Sequence, residues 1–137
     1  MFKQVTIIGF GLIGSSLARA IRDHHQAGKI ICADASREVC EKVLQLKIAD
    51  EVTTDLAKGV KGSDLVVLCV PVGAMGAVAE KIAAALEKGA IVSDVGSVKM
   101  AVVKSVGAHL PGTVHFVPAH PIAGTEHSGP ENGFAEL

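Results

Sequence analysis

Two segments of the chain combine residue types that could carry out chemistry. The first, residues 9–14, is a glycine-rich turn with the sequence Gly-Phe-Gly-Leu-Ile-Gly. The second, residues 118–129, places His120 directly before a proline and continues to Thr125 and Glu126. A residue before proline is driven toward extended backbone, so this loop should present the imidazole of His120. Such a loop suits acid–base chemistry, although a surface histidine without a role is the alternative interpretation.

Strands and helices alternate along the chain and must position these two segments. The patterns predict strands at 5–8, 29–34, 51–53, 65–70, 90–93 and 114–117. They predict helices at 12–24, after an N-cap at Ser36, at 74–86 and at 98–110, with Gly28 ending the first helix. Strands separated by helices pair in parallel through right-handed crossovers. The expected fold is therefore α/β, a doubly wound parallel sheet (Rossmann) in the strand order 3-2-1-4-5-6.

The glycine turn follows a predicted strand and opens a predicted helix, which is the context of a dinucleotide-binding fingerprint. Gly9 would allow the tight turn, Gly11 the close approach of a pyrophosphate, and Gly14 the packing of helix against strand. The intervening residues Phe10, Leu12 and Ile13 belong to the same predicted cofactor contact. Backbone N–H groups at the helix N-terminus would bind the phosphates. A purely structural glycine turn is the alternative.

Asp34 stands 20 residues after Gly14, at the predicted end of the second strand. An acidic residue there accepts hydrogen bonds from ribose hydroxyls and repels a 2′-phosphate, which favours NAD over NADP. Ser36 and Arg37 leave NADP open, because a nearby arginine accommodates a 2′-phosphate. Each also has a structural interpretation, Ser36 as a helix cap and Arg37 as a solvated residue of the first helical turn.

Further predicted site residues follow the later strands. Ligands of open parallel sheets bind beyond the carboxyl ends of the strands, so Val70, Pro71 and Met75 are expected beside the cofactor. Ser97 follows the fifth strand and His120 the sixth, and both should face the nicotinamide. Ser97 could equally serve only as a helix N-cap. The histidines at 115, 120 and 127 match no usual metal-ligand spacing, so no metal site is predicted.

Composition narrows the class of protein. The chain has 137 residues, which is enough for one domain with a core, and its formal net charge is −1 with no basic run. Nothing in this balance indicates a nucleic-acid partner. The three cysteines show no Cys-x-x-Cys spacing and suit a reducing cytoplasm. The first apolar stretch is too short for a signal peptide or a membrane span.

Taken in order, the motifs resemble those of the prephenate and arogenate (cyclohexadienyl) dehydrogenases of tyrosine biosynthesis. The most specific segments are Asp94-Val95-Gly96-Ser97-Val98-Lys99 and His120-Pro121-Ile122-Ala123-Gly124-Thr125-Glu126. The resemblance covers essentially the whole chain and is strongest to the monofunctional bacterial enzymes. Small departures are Ser15, where the family often has glycine, and Ala119 before the histidine.

The resemblance implies NAD-dependent oxidative decarboxylation of prephenate to 4-hydroxyphenylpyruvate, of arogenate to tyrosine, or of both. His120 would be the catalytic base, and a neutral imidazole suits that role because its reference pKa of about 6.5 lies near working pH. Ser97 would orient the substrate or His120, while Thr125 and Glu126 would contact the substrate at the mouth of the site.

The family also has a helical C-terminal domain that dimerises and binds the substrate carboxylates. Residues 1–137 are therefore expected to be the dinucleotide-binding domain of a homodimeric enzyme, and to be inactive alone. No clamp for two carboxylates can be built from Arg19, Arg22 or Arg37. Two alternatives stay open: another Rossmann NAD(P)-dependent dehydrogenase of small acids, and a non-catalytic dinucleotide-binding module.

Overall fold

Six parallel strands form one sheet in the computed structural model, which describes residues 2–95 and 104–118. The strand order is β3-β2-β1-β4-β5-β6, which confirms the predicted doubly wound fold. Residues 104–107 are also helical. The named elements are β1 Phe2–Ile8, α1 Leu12–Asp23, β2 Ala27–Ala33, α2 Arg37–Leu46, β3 Glu51–Thr53, α3 Leu56–Val60, β4 Leu65–Leu68, α4 Val72–Ile82, β5 Ile91–Asp94 and β6 His115–Val117.

Apolar side chains cover both faces of the sheet, because successive residues of a strand point to opposite sides. In β1, Val5 and Ile7 pack into a core with α1 and α2, where Ala18 and Val43 are buried. Ile8 points to the other core, which includes residues of α3 and α4 such as Val60, Met75 and Ile82. The two cores fix the sheet between two layers of helices.

The carboxyl ends of four neighbouring strands lie level with one another. Parallel pairing aligns Ile8 with Ala33 and Leu68, and Leu68 with Asp94. The next residue of each strand still joins the ladder: Gly9 N–H donates to Ala33 O at 2.9 Å, and Cys69 N–H donates to Ile8 O at 2.7 Å. The segments that leave these strands therefore start from one edge of the sheet, as predicted.

The predicted end of the first helix at Gly28 is wrong. Helix α1 stops at Asp23, and His25 takes the left-handed conformation with φ 51°. Gln26 N–H then donates to Ile21 O at 2.9 Å and His25 N–H to Arg22 O at 3.2 Å, which is the Schellman arrangement usually made with glycine. Gly28 lies inside β2, where an added Cβ would sit 3.0 Å from Lys3 O, so its role is the close pairing of β1 and β2.

Other elements also differ from the sequence patterns, most clearly α3, β4 and α4. Helix α3 was not predicted, because five residues that include Gly59 give no helical period. Strand β4 ends at Leu68 rather than at residue 70, and α4 begins at Val72 rather than at residue 74. The chain leaves β4 two residues early because Pro71, which fixes its own backbone, forms the N-cap of α4.

Candidate nucleotide-binding site

The turn between β1 and α1 requires glycine at two positions. Gly9 has φ 91°, and an added Cβ would lie 2.8 Å from Cys69 O and 2.9 Å from Val70 Cγ1. At Gly14, an added Cβ would overlap the carbonyl oxygen of Gly9. The first residue thus lets the chain turn against β4, and the last lets α1 pack onto the turn, as the sequence predicts for both.

Gly11 differs from its two neighbours because it is open. Nothing lies within 4 Å of an added Cβ at this position, and the residue is exposed. Gly11 is the N-cap of α1, and no side chain caps the helix there. The first N–H groups of a helix have no intrahelical acceptor and carry a partial positive charge. The turn therefore offers an anion both space and backbone donors.

Asp34, one residue beyond β2, connects this turn to α2. Its Oδ2 accepts a hydrogen bond from Phe10 N–H at 2.9 Å, and its Oδ1 accepts one from Ser36 N–H at 2.9 Å. A carboxylate has about four lone-pair sites, so about two remain for hydroxyl groups of a ligand. The two backbone bonds fix the carboxylate beside the glycine turn.

A cleft of about 280 Å³ opens beside Gly9 and Asp34. Val70 and Pro71, two of the predicted cofactor contacts, line it, whereas Met75, also predicted beside the cofactor, is fully buried in the core. The lining residues that sequence analysis missed include Leu56, Ala74, Val78 and Lys81. The helical spacing of the last three could have revealed them, whereas Leu56 belongs to the unpredicted α3.

The remaining predicted cofactor residues have mainly structural contacts. Ser36 caps α2, its Oγ accepting from Val39 N–H at 3.3 Å. Phe10 is 1% exposed and Leu12 is 9% exposed, so both anchor the turn in the core below it, while Ile13 is half-buried. Arg37 lines a different cleft with Cys40 and residues of β3.

Cys69 lies under the glycine turn and is not activated as a nucleophile. Burial raises the pKa of its thiol to about 12, and the charge of Asp94 adds to the effect. The residue is partly exposed although its thiol is desolvated. Burial likewise raises the pKa of Cys32 and of Cys40. Neutral thiols at these positions are packing groups, since the thiolate is the reactive form.

Four predicted site residues, Ser97, His120, Thr125 and Glu126, lie outside the described residues. Strand β6 ends at Val117, three residues before His120 in the sequence. Over residues 2–95 and 104–118, no group of three His, Cys, Asp or Glu side chains is placed to hold a metal ion. No helix in the same part of the chain is long and apolar enough to cross a bilayer.

The strand order, the glycine turn and the fixed carboxylate of Asp34 define a Rossmann-type domain. The sequence model of the family described as "Prephenate dehydrogenase, nucleotide-binding domain" matches residues 17–137. The chain belongs to this family. The match begins after the glycine turn, so the turn and the family match are separate observations.

Two curated relatives show how far the similarity extends. The cyclohexadienyl dehydrogenase of Zymomonas mobilis is 47% identical over 137 residues, which is all of this chain and 46% of that protein. The prephenate dehydrogenase of Lactococcus lactis is 35% identical over 129 residues, 93% of this chain and 36% of that protein. The chain thus spans less than half the length of these relatives.

Solved structures of two related enzymes superpose on the chain. The prephenate dehydrogenase of Aquifex aeolicus in complex with hydroxyphenyl propionate and NAD⁺ has a TM-score of 0.83 and 33% identity, covering 98% of this chain and 47% of that one. The arogenate dehydrogenase of Synechocystis has a TM-score of 0.84 and 31% identity, covering 95% and 45%. A ketopantoate reductase of Ralstonia eutropha, 20% identical with a TM-score of 0.74, shares the fold.

Proposed function

We propose that this chain is the dinucleotide-binding domain of an enzyme that oxidises and decarboxylates prephenate, arogenate or both, with NAD as the oxidant. The observation that carries the cofactor assignment is the carboxylate of Asp34, held by Phe10 N–H and Ser36 N–H beside the glycine turn. The substrate class rests on the relatives, two of which are named as prephenate and cyclohexadienyl dehydrogenases.

The glycine turn, Asp34 and the adjoining cleft fit NAD in three ways. The free oxygen lone pairs of Asp34 accept from the adenosine ribose hydroxyls, and its charge disfavours a 2′-phosphate. The open backbone at Gly11 and the uncapped start of α1 bind the pyrophosphate. Apolar side chains such as Val70 and Leu56 in the adjoining cleft contact the adenine ring. This arrangement has to discriminate between NAD and NADP, which differ by the 2′-phosphate.

Bound at this site, NAD would supply the hydride acceptor for oxidation of the hydroxyl-bearing carbon of the substrate ring. His120 takes the proton of that hydroxyl group, so the carbon becomes a carbonyl carbon as the hydride leaves. The ring carboxylate then departs as carbon dioxide, and its bonding electrons complete the aromatic ring. A positioned base typically contributes about 10²–10⁴-fold to such a step.

Other groups of the proposed enzyme bind and orient the substrate. Ser97 orients the substrate or His120, and Thr125 and Glu126 contact the substrate at the mouth of the site. In this proposal, a helical C-terminal domain forms the homodimer and supplies cations for the two carboxylates. The enzyme works in the cytoplasm.

Two alternatives are distinguishable. A dehydrogenase of another small acid would reduce NAD with its own substrate but not with prephenate or arogenate. A non-catalytic binding module would bind NAD without any substrate-dependent reduction. Neither alternative has relatives as similar as the 47% identical cyclohexadienyl dehydrogenase among those described above.

The test of this proposal is the substitution His120→Asn in the complete protein encoded by the gene. Turnover of prephenate or arogenate should fall by about 10²–10⁴-fold while NAD binding stays unchanged, because only the base is lost. The rise of kcat/KM with pH near the histidine pKa should also disappear. His115→Asn is the matched control, since His115 is exposed on β6 and its backbone N–H bonds to Ala90 O. A His120→Asn enzyme within a few-fold of wild type would exclude His120 as the base.

A further inference from the structure

We infer that Lys81 determines how the adenosine end of the dinucleotide is recognised, by offering a cation to a 2′-phosphate. This inference rests on the proposed function, because it takes the cleft beside Asp34 as the adenosine site. Among the described residues that line this cleft, Asp34 and Lys81 are the two charged ones, and the others are apolar or glycine. The cleft therefore holds one group that disfavours a 2′-phosphate and one that favours it.

Helix α4 brings Lys81 to the cleft. Ala74, Ala77, Val78 and Lys81 follow the spacing of one helix face, and all four line the cleft. Lys81 follows Ala74 by seven residues, which corresponds to a rise of about 10 Å along α4. Lys81 therefore lies well beyond Pro71 and the glycine turn. This position matches the far, adenosine end of a dinucleotide whose pyrophosphate lies at Gly11.

A second cleft, of about 270 Å³, adjoins the first and shares Ala35, Leu56 and Lys81 with it. Ala35 directly follows Asp34, the proposed ribose acceptor. Because Lys81 and Ala35 line the same two clefts, Lys81 lies near the ribose site. The flexible four-carbon stem of an exposed lysine lets its ammonium reach a phosphate attached to that ribose. With Asp34 alone, we would expect strict exclusion of NADP. With Asp34 and Lys81 together, we expect a preference for NAD and measurable binding of NADP.

Arg37 was the residue that the sequence suggested for this role. The structure places it on the first turn of α2, in the cleft with Cys40, Glu41 and Leu44. That cleft is separate from the one that Asp34 lines. Lys81 is 44 positions further along the chain than Arg37, so no local sequence motif connects it to Asp34. The two residues come together only in the fold, where both line the same cleft.

The test uses ADP-ribose and 2′-phospho-ADP-ribose, which lack the nicotinamide and so report binding without catalysis. Calorimetry should show that Lys81→Gln weakens 2′-phospho-ADP-ribose by about fivefold, which one exposed ion pair supplies at the upper end of its usual range. ADP-ribose should weaken by less than about twofold, and Lys81→Arg should restore the wild-type affinity ratio. Raising the salt concentration should shrink the wild-type advantage, since exposed charges are screened.

Lys58→Gln is the matched control, because Lys58 is an exposed lysine on α3 that lines a different cleft. An unchanged affinity ratio in Lys81→Gln would overturn the inference while leaving NAD binding intact. If Arg37→Gln, and not Lys81→Gln, selectively weakens 2′-phospho-ADP-ribose, the role belongs to Arg37. If the wild-type protein binds neither nucleotide, the proposed function fails and the inference fails with it.

Discussion

At the scale of single residues, Asp34 carries two functions that a sequence motif cannot separate. The same carboxylate accepts two backbone hydrogen bonds and, in the proposed complex, the ribose hydroxyls. The motif indicates the ligand contact, because acidic residues recur at this strand end. The bonds to Phe10 and Ser36 depend on how the two loops approach each other, which only the folded chain defines.

Replacing Asp34 should therefore change cofactor choice. In Asp34→Ala, loss of the ribose acceptor should weaken NAD binding by about 10–100-fold, because hydrogen bonds to charged groups contribute about 1.5–3 kcal/mol. The affinity gap to NADP should narrow, since the repelling charge is also lost. Titration of both nucleotides measures the change, and Asp34→Asn should lie between the two proteins. A wild-type protein that already prefers NADP would contradict this role of Asp34.

Gly11 and Gly14 are alike in the motif but should respond differently to alanine. Gly14→Ala forces a methyl group onto Gly9 O, and such overpacking costs about 1–3 kcal/mol of unfolding free energy. Gly11→Ala meets nothing within 4 Å and has φ −80°, so its stability should stay within about 0.5 kcal/mol of wild type. Urea unfolding of both variants checks the contrast. Equal destabilisation of the two would contradict the geometry of the turn.

At the scale of elements, the sequence patterns predicted all six strands, including the three-residue β3, but missed helix α3. The continuous apolar residues of β4 and the β-branched run Val5-Thr6-Ile7-Ile8 of β1 were readable from the sequence, because strands buried on both faces leave a strong signal. Helix α3 left no such signal. Gly59 looks like a helix breaker, yet an added Cβ would lie 2.9 Å from Ala33 Cβ, so glycine is what lets α3 approach the sheet.

A buried hydrogen-bond network attaches α3 to β1. Thr6 Oγ1 donates to Gly59 O at 2.7 Å and lies 2.5 Å from Ser63 Oγ, and both Thr6 and Ser63 are fully buried. Thr6→Val removes the hydroxyl and leaves the other groups without this partner, which should cost about 1–3 kcal/mol. Denaturant unfolding measures the loss, with the exposed Thr54→Val as control. Equal stability of the two variants would show that the network does not anchor α3.

At the scale of the whole molecule, the site lies where the strand order reverses. β1 pairs with β2 on one side and β4 on the other, so the chain leaves these strands in opposite directions and a crevice opens between them. The glycine turn, Asp34 and Pro71 come from three different strand ends. Alternation of strands and helices was enough to predict their convergence, because right-handed crossovers leave few other arrangements.

The cleft beyond Asp34 was less predictable from the sequence. It depends on Leu56 of α3 and on Lys81 at the far end of one face of α4, and neither residue belongs to a motif. The roles of Ser97 and His120 come from the resemblance to the dehydrogenase family, and they stay predictions because these residues lie outside the described ranges.

The most direct test of the central claim is a calorimetric titration of NAD into the 137-residue chain and into its Gly11→Ala variant. The proposed site predicts one NAD bound per wild-type chain. The variant should lose at least about tenfold in affinity, because its methyl group occupies the open approach to the turn without disturbing the fold. Absence of NAD binding to the folded wild-type chain, or equal affinity in the variant, would contradict the claim that this turn binds the dinucleotide.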